Sequence, residues 1–188
     1  MPSFTVLYDA CVLYPAPVRD LLIRLGRAGL FRAKWTEEIL DECFRNIVED
    51  RPDLRPEQLE RTRELMNQAI PDCLVTSYQE LIAGLSLPDP DDRHVLAAAI
   101  RANAQVIVTA NLKDFPAEVL ERYGIEAQDP DEFVFHLTDL APTAVWQVVQ
   151  EQAASLKNPP RTIGQLLDKL SSTGLVRTAA QLRIRVPP

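Results

Sequence analysis

The sequence predicts an α/β protein with a mostly parallel central sheet flanked by helices, followed by a C-terminal α-helical extension. Three observations carry this expectation. Phe4–Tyr8 and Val106–Val108 are short runs of β-branched, aromatic and aliphatic residues, the pattern of strands covered on both faces. Amphipathic stretches of helical period separate them. Beyond Asp129 the strand pattern stops, and apolar residues recur only at helical spacing: Phe133, Leu137, Val145, Val148 and Val149, then Ile163, Leu166, Leu167 and Leu170. The expected boundary divides an α/β domain (1–130) from a helical extension (131–188).

Each element has a local reason. After Asp9 and a Pro15-Ala16-Pro17 turn, a helix begins near Pro17, with Leu21, Leu22 and Leu25 on its apolar face. Phe31 to Lys34 reads as a short strand. Thr36 is a good N-cap, and Glu37 and Glu38 favour the first turn of a helix reaching about Glu49. Pro56 opens another helix, to about Ala69, and Cys73 to Thr76 reads as a short strand. Pro88-Asp89-Pro90 precedes a helix from Asp91 to about Ala104. A short helix follows Pro116, and Ile125 to Ala127 reads as the last strand.

Composition narrows the function classes. Apolar residues make up 46% of the 188 residues, enough for a sizeable core. No apolar stretch reaches the roughly 18 residues of a membrane span, and the N-terminus carries no signal-peptide pattern. Cys11, Cys43 and Cys73 form no CxxC pair and no zinc spacing, so reduced thiols and a cytoplasmic location are expected. The net charge of −7 runs against the basic footprint of most nucleic-acid binders. Against that, acids gathered around a cation are not acidic as a loaded site, and 16 of the 20 basic residues are Arg, suited to forked contacts with phosphate.

The chemistry-bearing residues are acids. Ligands of a parallel α/β sheet bind beyond the carboxyl ends of its strands. Asp9 follows the first apolar run; Asn111 and Asp114 follow Val106–Val108. Asp89, Asp91 and Asp92 crowd a helix start, more acids than a cap requires, with Asp92 the best placed toward the sheet end. Glu42, on spacing alone, is an ordinary helical surface acid. Several carboxylates select hard divalent cations, Mg²⁺ or Mn²⁺, and such sites serve phosphodiester hydrolysis. No phosphate-cradling glycine loop, nucleophile elbow or HExxH is present. His94 and His136 read as ordinary histidines. Arg24, Arg27, Arg32 and Lys34, with Arg93, are candidate phosphate contacts.

Four motifs occur in order: Leu-Tyr-Asp-Ala-Cys-Val-Leu (7–13), Trp-Thr-Glu-Glu-Ile-Leu-Asp-Glu (35–42), Asp-Pro-Asp-Asp-Arg-His-Val-Leu-Ala-Ala-Ala (89–99) and Val-Ile-Val-Thr-Ala-Asn-Leu-Lys-Asp-Phe (106–115). Together, from about Ser3 to Asp129, they resemble the PIN-domain ribonucleases, specifically the VapC-type toxins of toxin–antitoxin pairs. The resemblance implies a PIN-like three-layer fold and an endoribonuclease using Mg²⁺ or Mn²⁺. It also implies a homodimer, an RNA substrate and a VapB-type antitoxin. It assigns catalytic roles to Asp9, Glu42, Asp92 and Asp114, metal ligation to Asp9, Asp92 and Asp114, and support to Asp89 and Asn111. Ala10 and Cys11 depart from the Thr or Ser, then Asn or Ser, frequent after the first acid, so a supporting hydroxyl is missing there. A housekeeping RNA-processing nuclease or DNA nuclease, or a non-catalytic binding protein on the same scaffold, remain the alternatives. An aspartyl-phosphate enzyme is disfavoured, because Cys11 stands where a second Asp is wanted.

Overall fold

The computed structural model describes residues 4–186. In chain order the elements are β1 (Thr5–Tyr8), α1 (Ala10–Leu13), α2 (Ala16–Arg27), β2 (Arg32–Lys34), α3 (Glu37–Asp50), α4 (Pro56–Ala69), α5 (Gln79–Ile82), α6 (Arg93–Arg101), β3 (Val106–Val108), α7 (Ala117–Leu120), β4 (Glu126–Gln128), α8 (Pro130–Leu140), α9 (Pro142–Ser155), α10 (Ile163–Ser172) and α11 (Val176–Arg183). A 3₁₀ turn, Pro90–Asp92, leads directly into α6.

The four strands form one parallel sheet in the order β2-β1-β3-β4. The central strands are the apolar ones: every residue of β1 and β3 is buried. The edge strands, Arg-Ala-Lys and Glu-Ala-Gln, are partly polar because one side of each meets solvent. Register pairs Val6 with Val106 and Tyr8 with Val108, so β1 and β3 end side by side. Each crossover between parallel strands is helical: α1 and α2, then α3 to α6, then α7.

Aromatic packing fixes the layers. Tyr8 stacks on Trp35 with ring centroids 6.2 Å apart. Phe31 meets Phe133 of α8 edge-on at 5.1 Å. Fully burying each such side chain contributes about 1.5–3 kcal/mol. Phe133, Val134, Leu137, Leu166, Leu170 and Leu182 join the same buried cluster as the strands, so the C-terminal helices share one core with the sheet. Polar bonds reinforce the junction: the Asp131 carboxylate accepts from the backbone N–H groups of Arg177 and Thr178, at 2.8 Å each, capping α11 from α8. Gly26 of α2 has no Cβ because one would lie 2.9 Å from Ile70 Cδ1 and 3.0 Å from Ala33 Cβ.

The local expectations need three corrections. Cys73–Thr76 is not a strand; it makes one bridge, Trp35 to Leu74, because Asp72 and Ser77, at φ of 57° and 58°, turn the chain at both ends. The helix expected from Asp91 to about Ala104 begins as the 3₁₀ turn, becomes α-helical at Arg93 and ends at Arg101, with Asn103 at φ 50°. A four-residue helix, α1, follows Asp9 directly and is too short to show periodicity in sequence.

Candidate active site

Asp9 sits where β1 ends. Its N–H donates to the Val108 carbonyl at 3.1 Å, which ties it to the end of β3. It is also the N-cap of α1, not a simple turn former: Oδ1 accepts from Ala10 N at 2.7 Å. Oδ2 accepts from Thr109 Oγ1 at 2.7 Å and from Cys11 Sγ at 3.1 Å. A carboxylate offers about four lone-pair positions, so these three donors hold the group in place and leave room for one more partner. Asp9 is only 3% exposed.

The hydroxyl that Ala10 and Cys11 do not supply comes from Thr109. Its side chain is fully buried; Oγ1 donates to Asp9 and accepts from the Asn111 N–H at 3.0 Å. The Cys11 thiol accepts from Ala110 N at 3.2 Å while donating to Asp9. Burial first, and the Asp9 charge second, push this thiol up to about 12, so it stays protonated as a donor. Thr109 was invisible as a site residue in the sequence because only the pairing of β1 with β3 brings it to Asp9.

Near Asp9, whose charge acts on Asp92, opens a polar cavity of about 550 Å³; Asp9 itself, buried, is not among the residues that line it. Its walls are Glu38, Asp41, Glu42 and Arg45 of α3, Asp89, Asp91, Asp92 and His94 from the 3₁₀ turn and the start of α6, and Asn111 and Asp114 after β3. Three segments far apart in sequence thus meet at the carboxyl ends of β1 and β3. Thr36 caps α3, accepting from Ile39 N at 3.0 Å, and this sets Glu38, Asp41, Glu42 and Arg45 on one face at the i, i+3, i+4, i+7 spacing. Glu38, Asp41 and Arg45 were missed in the sequence, where their spacing is that of any solvent-facing helix side; only their shared face with Glu42 could have pointed to them. Asp89 caps the 3₁₀ turn by accepting from Asp91 N at 2.9 Å. Arg63 of α4 bonds both Asp41 and Glu37, so Asp41 is already partnered.

The electrostatics are those of an acid cluster. Burial, then the charges of Asp9, Asp89, Asp114 and Glu42, push the Asp92 carboxyl up to about 7. His94 is 8% exposed and lies between two acids, Nδ1 at 3.7 Å from Glu38 Oε2 and Nε2 at 3.7 Å from Glu42 Oε2. Burial opposes its charge, but Glu42, Glu38 and Asp9 outweigh that and raise its pKa. Tyr78 donates to Glu38 at 2.8 Å. Among the described residues no three His, Cys, Asp or Glu side chains are yet drawn together tightly enough to hold a metal ion. The donor set nonetheless suits a hard divalent cation: oxygen ligands, and excess negative charge that already costs free energy at Asp92.

The cationic candidates lie elsewhere. Arg24 and Arg27 line a different cavity, along α2. Lys34 Nζ donates to the Asp72 carbonyl, Arg32 is on edge strand β2, and Arg93 Nε donates to the Pro90 carbonyl at 2.8 Å. Arg45 is the one Arg or Lys among the described residues that line the acidic cavity. No helix among the described residues is long and apolar enough to cross a membrane.

Comparison with known proteins locates these features. The family model described as PIN domain matches residues 5–113, and the model described as VapC50 C-terminal domain matches residues 130–184. Asp9, Glu42, Asp89, Asp92 and Asn111 fall inside the first match, and Asp114 one residue beyond it. A protein of Mycobacterium tuberculosis named "Putative ribonuclease VapC50" is 44% identical over 93 residues, 50% of this chain and 54% of that protein. The match thus spans about half the length of the curated relative. No solved structure matches the chain.

Proposed function

The chain belongs to the PIN-domain family, and on that premise we propose that it is a metal-dependent endoribonuclease, the toxin of a type II toxin–antitoxin pair. The observation that carries this reading is the acidic cavity, with acids from α3, from the start of α6 and from the loop after β3 on its walls and the charge of the buried Asp9 acting on its Asp92. So acidic a cavity repels a phosphodiester by itself, and a bound cation reverses that sign. Asp9, Asp92 and Asp114 are the ligands in this reading, with Asp89 and Asn111 in support, and Mg²⁺ or Mn²⁺ as the cation. A cation of that kind supplies Lewis acidity at the phosphoryl oxygen and lowers the pKa of a bound water.

The chain's own residues do the rest. Thr109 and Cys11 keep the Asp9 carboxylate oriented by donating to Oδ2. Glu42 lines the cavity beside His94, and in this reading it takes a proton during hydrolysis. Asn111 supplies a neutral polar group on the wall. The relative named as a ribonuclease VapC50 and the matched VapC50 C-terminal domain support the toxin reading, with a VapB-type antitoxin as partner, a homodimeric assembly and action in the cytoplasm.

The test is RNA cleavage by the purified chain with Mg²⁺ or Mn²⁺, beside Asp9→Asn, with sequencing of the new 5′ ends. Cleavage that requires the cation and Asp9 is expected. Full activity in Asp9→Asn, or in excess EDTA, overturns the proposal. A short reading frame for a DNA-binding antitoxin next to the gene separates a toxin from a housekeeping nuclease.

A further inference from the structure

On α3, Arg45 follows Glu38, Asp41 and Glu42 on the face that lines the acidic cavity. In an isolated helix Asp41 and Glu42, four and three residues back, are the acids it pairs with. The fold takes both away. Arg63 of α4, which does not line the cavity, bonds Asp41 and also Glu37, the latter at 2.6 Å. Glu42 lies 3.7 Å from Nε2 of the buried His94. The guanidinium of Arg45 is left exposed, with no hydrogen bond or ion pair to any described residue.

No other Arg or Lys among the described residues lines this cavity. Arg19, Arg24, Arg27, Arg161 and Lys169 line a separate groove of about 900 Å³ along α2, which shares no residue with the acidic cavity. The floor of that groove is aliphatic, with Leu65, Met66 and Leu166 in it. Lys34 and Arg93 donate to backbone carbonyls.

A strand of RNA brings one negative charge per nucleotide. In the nuclease reading a divalent cation on Asp9, Asp92 and Asp114 meets the scissile phosphate, but Glu38, Asp41, Glu42, Asp89 and Asp91 still line the cavity. A flanking phosphate is repelled there except where a positive side chain stands. Arg45 is that side chain, one helical turn beyond Glu42 and about 4.5 Å further along the axis of α3.

We propose that Arg45 binds the RNA phosphate next to the scissile one and so positions the strand across the cation site. A guanidinium offers forked donors that fit two phosphate oxygens. Because Arg45 has no partner within the chain, it gives up no ion pair to make this contact. Arg45 has this role only if the chain is the nuclease proposed above.

The test uses the full chain, Mn²⁺, and the shortest fragment of the cleaved RNA that the wild type still cuts. Arg45→Gln should raise KM about tenfold and leave kcat within about twofold, the pattern of binding lost equally from ground and transition states. The slope of log(kcat/KM) against log salt should shrink by about 0.7, the share of one single-strand phosphate contact. Arg45→Lys keeps the charge and loses the fork, so it should keep the slope and raise KM less. A neutral methylphosphonate at one of the two linkages flanking the cut should raise the wild-type KM as Arg45→Gln does, and should cost Arg45→Gln nothing more.

Two readouts are independent of cleavage. A labelled fragment with an uncleavable methylphosphonate at the cut site should bind Arg45→Gln about tenfold more weakly by fluorescence polarisation. Calorimetric Mn²⁺ affinity should stay within about threefold of the wild type, with an unchanged melting temperature, because Arg45 is exposed and unpaired. A wild type that shows no Mn²⁺-dependent cleavage fails the nuclease reading. Wild-type cleavage with KM and salt slope unchanged in Arg45→Gln overturns the role of Arg45 alone. So does a fall in kcat with KM kept, which would put Arg45 on the scissile phosphate, or much tighter Mn²⁺ binding with KM kept, which would make it a counter-ion of the acids.

Discussion

The acidic cavity beside Asp9 and the groove along α2 occupy one molecule and follow opposite rules. In the cavity the charges face inward: seven carboxylic side chains and one arginine line it, and burial first, then repulsion from the neighbouring acids, pushes the Asp92 carboxyl up to about 7. In the groove the charges stand around an aliphatic floor, and only Gln152 is both polar and buried. A fold concentrates like charge at a strand end only at a cost, whereas a rim of cations around apolar surface costs little, because solvent still reaches the charges. The first arrangement suits a cation; the second suits an apolar group with anionic neighbours.

The largest break between the two regions is expected from Asp9→Asn. It removes the charge that three donors hold in place, and cleavage of RNA should fall on the order of a thousandfold. Binding of Mn²⁺ measured by calorimetry should weaken in parallel.

Next comes Thr109→Val, which keeps the shape and removes the hydroxyl. Asp9 Oδ2 loses its strongest donor and the Asn111 N–H loses its acceptor. The expected cost is about 1–3 kcal/mol of stability, read by denaturant unfolding, with a drop in cleavage larger than that of Cys11→Ala, since a thiol is the weaker donor. If Cys11→Ala proves the more damaging, the thiol and not the hydroxyl orients Asp9.

How much of this was legible beforehand follows from the range of each interaction. The strands, the caps Thr36 and Asp89, and the helices at both ends were readable because their causes are local: a β-branched run, a hydroxyl before two glutamates, an apolar stripe. The positions of Asp9, Asp92 and Asp114 beyond strand or helix ends were readable for the same reason. Glu42 was not: its spacing is that of any surface acid, and only the meeting of α3 with the start of α6 puts it in the cavity. His94 looked ordinary because neither Glu38 nor Glu42 is its sequence neighbour. The basic stretch does not line the acidic cavity. Arg24 and Arg27 lie between two acidic motifs in sequence, yet α2 carries them into the groove, because their face of the helix packs toward α9 and α10. The groove itself left no sequence trace, since its walls come from three segments far apart in the chain.

A smaller effect concerns pH. The Asp92 carboxyl lies near 7 in the folded chain against an ordinary 3.8. Below about 4 it is protonated whether the chain is folded or not, and contributes nothing. Between 4 and 7 the folded chain keeps a proton that the unfolded chain has lost, so stability falls as pH rises through this window, and the full penalty stands above 7. In EDTA, the denaturant midpoint of the wild type should therefore fall from pH 4 toward pH 8, and Asp92→Asn should flatten that fall and be the more stable protein at pH 8. Mg²⁺ or Mn²⁺ should stabilise the wild type at pH 8 more than it stabilises the variant. A variant with the wild-type slope would place the unbalanced charge elsewhere in the cavity.

The smallest expected effect belongs to the groove. Gln152→Leu removes the unpaired Oε1, a gain, and also the bond from Nε2 to Pro17, a loss. Each is worth about 1–3 kcal/mol at most, with opposite signs, so the melting temperature of the isolated chain should move by no more than about 4 °C. A larger drop would make Gln152 a strut between α9 and α2, whose bond outweighs the unpaired acceptor; a rise would make Oε1 a group that the fold leaves unsatisfied at a net cost.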